Sequence, residues 1–574
     1  MENREVAAYL QHIAELLILK GENKYKIQAY LQAARTISRL GERVEDLVAD
    51  HRIQEIKGIG KTLSGIIEEI VVDGYSGYIS ELEAEAPVEL LALFSMPGLG
   101  AKNILLLMQN LDIKNLDDLE ASAERGDIRR IPRVGASLER SILKHIKDKK
   151  TVGSRILLSV AMSLTQELQE RIMGVEGVNL FSGTGKMRRG YETVNDINIL
   201  LGTNGVFNPE KLEDVLKSYP LIKGMESEGE MIKINSIYNV PVIIKHVPEE
   251  HYFARLIYET GSEAHLKYLQ KRASNLGLLW DKNGLSKGGR YLVGKSEEDI
   301  YSTLNLPFVP PELREDNALF RADVLEVPAL VEIKDIKGDL HLHSNWSDGY
   351  NTIPELVEKA IRKGYSYIAI TDHSQSLKIA GGLTVERLRE QVAYIQELRK
   401  KIKGFHIFTG IEVDILRDGS LDFPDQVLEE LDIVIASIHS GFKQSKEELT
   451  GRILAAMENP HVHIIGHPTG RLINKRDPYE IDIERILDRA VETETALEIN
   501  SSPDRLDLKD EHVRQALSRG ARLAIDTDSH GANNMDDMVY GVITARRGMA
   551  GKDNILNTYD AESLGKILKC RGAK

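Results

Sequence analysis

Gly338-Asp339-Leu340-His341-Leu342-His343-Ser344, followed by Asp348, is the stretch that decides how this chain of 574 residues is read. Residues i and i+2 of a β-strand point to the same face, so His341 and His343 on one strand can grip a single metal ion. A lone His-x-His pair is often incidental. Here, however, the apolar segments that follow also end in ligand-type residues: Thr371-Asp372-His373, Ile411-Glu412-Val413-Asp414, Ser437-Ile438-His439, Gly466-His467-Pro468, Asn500 and Asp526-Thr527-Asp528-Ser529-His530. The pattern alternates as strand 336–342, helix 353–363, strand 366–371, helix 384–401 and strand 405–411. That spacing predicts βα units in a barrel with its helices outside. The C-terminal ends of parallel strands then meet on one rim, where active sites are built. Nine candidate ligands gather there: His341, His343, Asp348, His373, Glu412, His439, His467, Asp528 and His530. Histidines spent on packing or solubility would not fall repeatedly at strand ends.

The rest of the chain bounds this picture. Its length exceeds one hydrophobic core, so three or four domains are expected. Hydrophobic content of 42% and charged content of 28% are ordinary for a globular protein. The single cysteine, Cys570, excludes a disulfide framework and a cysteine-based zinc site, so any metal centre must use His, Asp and Glu. The N-terminus MENREVAAYL lacks a basic region followed by an apolar one, and no apolar run reaches about 18 residues. A soluble, cytoplasmic protein with no membrane partner is expected. The net charge of −14 argues against nucleic acid only if it is evenly spread; residues 129–150 carry eight Lys/Arg against two Asp/Glu.

Residues 1–150 read as short helices joined by glycine-containing turns, with apolar positions at helical spacing over 6–19. Three turns share one pattern: Ile56-Lys57-Gly58-Ile59-Gly60-Lys61, Met96-Pro97-Gly98-Leu99-Gly100-Ala101 and the degraded Ile131-Pro132-Arg133-Val134-Gly135-Ala136. This is the helix-hairpin-helix pattern. Its glycines let the backbone approach a phosphate, and the next helix offers unpaired N–H groups at its positive end. Gly58, Gly60, Lys61, Gly98, Gly100 and Lys102 are therefore candidate DNA contacts. Residues 151–305 bring alternating apolar strands, such as 194–201 and 231–237, in a mixed α/β region, and the proline-rich segment 306–315 follows.

The ligand pattern over 335–574 resembles the polymerase and histidinol phosphatase (PHP) superfamily. The resemblance implies a distorted (β/α)7 barrel holding three divalent ions, zinc or manganese, for metal-assisted phosphoester hydrolysis. It implies a first ion on His341, His343, Glu412 and Asp528. A second shares Glu412 and adds His439 and His467; the third takes Asp348, His373 and His530. The implied catalytic set is His341, His343, Glu412, His439, His467, Asp528 and His530. Arg471, with Lys475 and Arg476, could hold substrate phosphates.

With the hairpins, the mixed α/β region and the barrel in this order, the whole chain resembles bacterial family X DNA polymerases with a C-terminal PHP domain. The implied architecture is multidomain α/β. An all-α helical region spans 1–80 with a first hairpin and 81–150 with further hairpins. An α+β nucleotidyltransferase-like palm follows over 151–240 and a thumb-like region over 241–315. A linker over 316–334 leads to the barrel. The family's palm motif reads here Gly185-Lys186-Met187-Arg188-Arg189-Gly190, with lysine for the usual serine. Its three carboxylates fall at Asp196, Asn198 and Ile243; one carboxylate cannot offset two close cations. The family's later Y-F-T-G-S reads Tyr258-Glu259-Thr260-Gly261-Ser262, Leu266 replaces an asparagine, and the Schiff-base lysine position falls at Ile66. The resemblance so modified implies a 3′-5′ exonuclease, with abasic-site or 3′-end processing, acting on gapped, nicked or primer–template DNA. Binding of dNTP is not expected, and residual polymerisation would need magnesium or manganese. The alternatives are an active gap-filling polymerase with PHP proofreading and a non-catalytic DNA-binding scaffold.

Overall fold

The computed structural model describes residues 3–38, 40, 42–95, 99–132, 135–136, 138–140, 142–143, 146, 155–219, 222–236, 240–315 and 326–572. The chain divides into two compact units. One comprises Met1–Val152, Glu332–Val542 and Lys552–Lys574; the other comprises Gly153–Val331 and Ile543–Gly551. Among the described residues no helix is long and apolar enough to cross a membrane.

The first unit carries the barrel. Its seven strands are β1 (Gly338–Asp339), β2 (Tyr367–Ile370), β3 (His406–Asp414), β4 (Ile433–Ser437), β5 (Ile464–Ile465), β6 (Ala496–Asn500) and β7 (Leu523–Asp526). They pair in sequence order, all in parallel, and a parallel bridge between Leu342 and Ser529 brings the first edge to the last. The expected strand 336–342 shrinks to two residues because the chain leaves regular pairing where His341 and His343 begin. Helix Ile353–Arg362 fits the expected 353–363. A reciprocal capping box of Thr352 and Glu355 starts it, and Ile353, Leu356, Val357 and Ala360 form its buried stripe.

Period-two alternation sorts each strand interior. Along β3, Phe408, Gly410, Glu412 and Asp414 share one face; along β6, Ala496, Glu498 and Asn500 do. The apolar members lie toward the strand starts, where Tyr367, Ala369, Phe408, Ile433, Ile435, Ala496 and Ala524 form one core. The C-terminal helix Ala561–Gly572 closes that end with Leu564 and Leu568. The polar members are left at the opposite rim.

The N-terminal helices of this unit begin with Asn3–Leu19, which buries Val6, Leu10, Ile13 and Leu17. Gly60 and Gly100 stand at the N-caps of helices Lys61–Asp73 and Ala101–Asn110, each without a side-chain cap bond. Gly58 has φ +92°, a conformation that favours glycine. Lys61 and Lys102 are exposed. Gly98 and the Arg133-Val134 part of the third turn lie outside the described residues, as does much of the basic run after it. Ile66 is buried within its helix. Asn533, three residues past His530, donates its side-chain amide to the Leu40 carbonyl at 3.1 Å, so this helical region reaches the barrel's ligand-bearing end.

The second unit holds a five-stranded sheet in the order Val178–Gly183, Ile197–Thr203, Pro241–Pro248, Met231–Ser236 and Ile222–Glu228. Pro241–Pro248 is its central strand, running parallel to Ile197–Thr203. The sheet therefore continues past residue 240, where the sequence reading set the boundary between palm and thumb-like region. Helices Glu249–Thr260 and Glu263–Asn275 lead to a small antiparallel sheet, and Ile257, Leu269, Trp280, Leu285 and Tyr301 share a core there.

Candidate metal centre

The barrel rim brings all nine expected ligands together. Glu412 is the hub: Oε1 lies 3.1 Å from His467 Nε2 and 3.3 Å from His439 Nε2. Its Oε2 lies 2.7 Å from His373 Nδ1, 3.5 Å from His341 Nε2 and 3.6 Å from His343 Nε2. Asp528 Oδ1 is 3.0 Å from His343 Nε2 and 3.7 Å from His341 Nε2. Asp348 Oδ1 stands 3.4 Å from His530 Nε2 and 3.6 Å from His373 Nε2.

Three sets have ligand atoms all within 4.8 Å of one another: His343, Asp348, His373 and His530; His341, His343 and Asp528; and His373, Glu412 and His439. Beyond the expected grouping, His343 also joins the set around Asp348 and His373 the set around Glu412, so these two donors stand between neighbouring groups. His341 Nε2, His373 Nδ1 and Glu412 Oε2 are buried and, although they lie close to one another, none of them makes a hydrogen bond of proper geometry among the described residues. Buried polar atoms are rarely left so. Donors bound to one ion at about 2.0–2.2 Å lie roughly 3–3.5 Å apart, close to the separations here. The donor set thus fits divalent metal.

Other side chains hold the ligands in place. Glu498 accepts from His341 Nδ1 at 2.6 Å and from the His467 backbone N–H, and Asn500 donates to both Glu498 and Asp528. Asp414 accepts from His439 Nδ1 at 2.5 Å. Carboxylates in this position fix a histidine's tautomer and leave its other nitrogen for metal. Gly466 before His467 is required by space, since a Cβ there would lie 2.3 Å from Ser437 Oγ. His467 and Asp528 both have positive φ, +25° and +53°. Such backbone strain collects at functional sites.

Electrostatics follow the same layout. Burial opposes charge on His341, yet Glu498, Glu412 and Asp528 hold its proton well above the usual histidine range. Burial opposes charge on His439 too, but Glu412 and Asp414 raise it to about 10. Burial, with His373 and His530 beside it, pushes His343 down to about 3. Burial works against the Asp348 carboxylate, but His530 brings it down to about 2.

The cationic residues differ from expectation. Arg471 is buried and donates to the Leu506 carbonyl. Arg476 donates to the Gly470 carbonyl and lies over the Phe442 ring, while Lys475 pairs with Asp504. Arg505 is the arginine beside the ligands, its Nε 3.8 Å from Asp528 Oδ2. Sequence reasoning missed Arg505 and the role of Glu498. Glu498 was findable, because it shares a strand face with Asn500; Arg505 follows a loop whose path no periodicity predicts.

In the second unit, Asn198 and Ile243 are directly paired neighbours on the parallel strands, and Asn198 donates to Asp196 at 3.0 Å. Arg188 is held by both oxygens of Glu297, and Arg189 by Glu315 and the Thr260 carbonyl.

The PHP domain family matches residues 339–502, a helix-hairpin-helix domain family residues 1–76, and the DNA polymerase beta thumb family residues 255–315. Barrel, ligand cluster and these matches define a family X polymerase-type chain with a C-terminal PHP domain. The DNA polymerase/3'-5' exonuclease PolX of Bacillus subtilis is 36% identical over 577 residues, 99% of this chain and all of the relative. The chain belongs to the PolX family. Its barrel is also similar to a probable phosphatase of Thermoanaerobacter sp., 31% identical over 40% of this chain and 91% of the relative. Another probable phosphatase, of Caldanaerobacter subterraneus, is 34% identical over 33% of this chain and 75% of the relative.

Proposed function

We propose that this chain is a cytoplasmic DNA-processing enzyme whose barrel hydrolyses phosphodiesters from the 3′ end, with abasic-site or 3′-end cleaning as a related activity. The observation that carries this is the convergence of nine donor side chains on one buried rim, in a chain whose palm motif keeps Asp196 but has Asn198 and Ile243 at the other two carboxylate positions. The printed name of the Bacillus subtilis relative supports it.

In this reading His341, His343, Glu412 and Asp528 hold one ion, Glu412, His439 and His467 a second, and Asp348, His373 and His530 a third. Their imidazoles and carboxylates favour zinc or manganese. When bound, such ions supply Lewis acidity and an activated water. Glu498 and Asp414 orient His341 and His439, and Arg505 offers its guanidinium to substrate phosphate oxygens. Gly58, Gly60 and Lys61, with Gly100 and Lys102, hold the backbone of gapped, nicked or primer–template DNA at helix N-termini. The contact between Leu40 and Asn533 supports delivery of that DNA to the rim. The polymerase-like half binds DNA but adds nucleotides weakly or not at all, because Asn198 and Ile243 bring no charge to balance two magnesium or manganese ions and a dNTP.

The test is an end-labelled primer–template incubated with manganese. Shortening from the 3′ end is expected, and it is lost in Asp528→Asn. Absent shortening, or shortening that survives this substitution, refutes the reading. The full-length likeness to a protein named as a polymerase favours a second reading, an active gap-filling enzyme. Templated extension with dNTPs that Asp196→Ala abolishes would support it and overturn the depleted-palm argument.

A further inference from the structure

The rim of the metal centre is unevenly open. The side chains of His341, His343 and Glu412 are fully buried, His439 and His530 are 15% and 23% exposed, and Asp348 is 32% exposed. The rim is therefore most open on the Asp348 side. Asp348 belongs to a loop that carries Trp346 two residues before it and Tyr350 two residues after it. The Tyr350 backbone N–H donates to the carbonyl of the ligand His530, and Tyr350 is 43% exposed. Trp346 lies 6.2 Å from the half-exposed Tyr394 ring.

A second loop, following ligand His373, abuts the first. Arg387 ties them by donating to the Trp346 and Gly381 carbonyls, and a Cβ on Gly381 would lie 3.6 Å from the Ser347 carbonyl oxygen. At the crest of this second loop Ile379 is 96% exposed. Tyr350 and Ile379 are thus exposed, and Trp346 partly so, on loops that adjoin the ligands Asp348 and His373, where they can meet an apolar face of a substrate.

We propose that Trp346, Tyr350 and Ile379 form a subsite for the unpaired base of the nucleotide being removed, holding its flat face at the entrance while its phosphate enters the metal centre. This rests on the barrel acting on DNA, and it names how that substrate is recognised. The occupant follows from chemistry and position. The ligands at the entrance recognise a phosphodiester, and the group one sugar away from a phosphodiester in a nucleic acid is a base. Every base has a stacking face, so an aromatic and aliphatic surface binds it without sequence preference. A paired base would present its edge to its complement and keep both faces in the duplex stack, so the subsite selects frayed or single-stranded ends. Arg387 is a positioning residue here, since it reaches the loops through their carbonyls.

The test uses the full chain with manganese and a short unpaired oligodeoxythymidylate, compared with the same oligonucleotide whose 3′-terminal residue lacks a base. Trp346→Ala is expected to raise KM on the base-bearing end about tenfold, as removal of one stacking partner does elsewhere, with kcat little changed. Trp346→Phe should restore most of this, and all three proteins should treat the base-free end alike. Equal KM values on the base-bearing end, or an equal rise on the base-free end, would overturn the subsite. A binding arm separates this from failure of the hydrolytic reading. Tryptophan emission of Asp528→Asn should be quenched by the base-bearing oligonucleotide and not by the base-free one, and the quench should vanish in Trp346→Phe. Trp280, the other tryptophan, is buried in the second unit and serves as the internal background. Quenching that ignores the terminal base overturns the proposal whether or not hydrolysis is seen.

Discussion

Glu412 faces five histidines, more than any other carboxylate at the rim among the described residues. Its position as a shared ligand was expected from the family resemblance. The residues that hold the ligands were not. Glu498 touches His341 and the His467 backbone from inside the barrel, where its charge sets which imidazole nitrogen faces the metal. Glu498→Gln keeps the shape and removes the charge. It should weaken metal binding by about 10–100-fold, measured by competitive titration with a chromogenic chelator, while the melting temperature without metal changes little. The palm shows the opposite case at the same scale. Asn198 and Ile243 face each other across a parallel register, and the one carboxylate there, Asp196, accepts from the Asn198 amide.

Among the elements, those with long amphipathic or alternating stretches were legible. Helix Ile353–Arg362 and strand His406–Asp414 lie close to their expected spans because burial on one face imposes a period on the sequence. Strand β1 and the palm boundary were less legible, since two residues of pairing and a strand opened by proline leave no period to count. The C-terminal helix illustrates a dependence that only packing reveals. Leu564 and Leu568 fill the barrel end opposite the ligands. Leu564→Ala should cost about 2–5 kcal/mol in urea unfolding, with the loss of activity following the loss of fold. In the second unit, burial opposes the Glu297 charge but Arg188 and Arg314 bring it down to about 2 from 4.5. A depressed carboxylate stabilises the fold above its unfolded value and loses that contribution as pH falls toward its folded one. Roughly 3 kcal/mol should therefore fade between pH 4.5 and about 2. Urea midpoints across that window test this: Glu297→Gln should start lower at neutral pH and fall less steeply.

For the whole molecule, metal occupancy is coupled to stability, because ions bound only by the native rim favour it by mass action. Exhaustive chelation should lower the melting temperature of the wild type, and the drop should shrink in Asp528→Asn; a chelator that shifts both equally would point to a metal elsewhere. The chain by itself determined the class of barrel and the nine donor-type residues that its rim gathers, because each is written in local periods and in residue types whose chemistry has few other uses. Only the tertiary structure decided that Glu498 and Arg505 stand against the ligands and that Asp348 is the most exposed of the nine. Those placements depend on loops between strands. A loop's path is set by what it packs against across the fold, and no period in its own sequence encodes that.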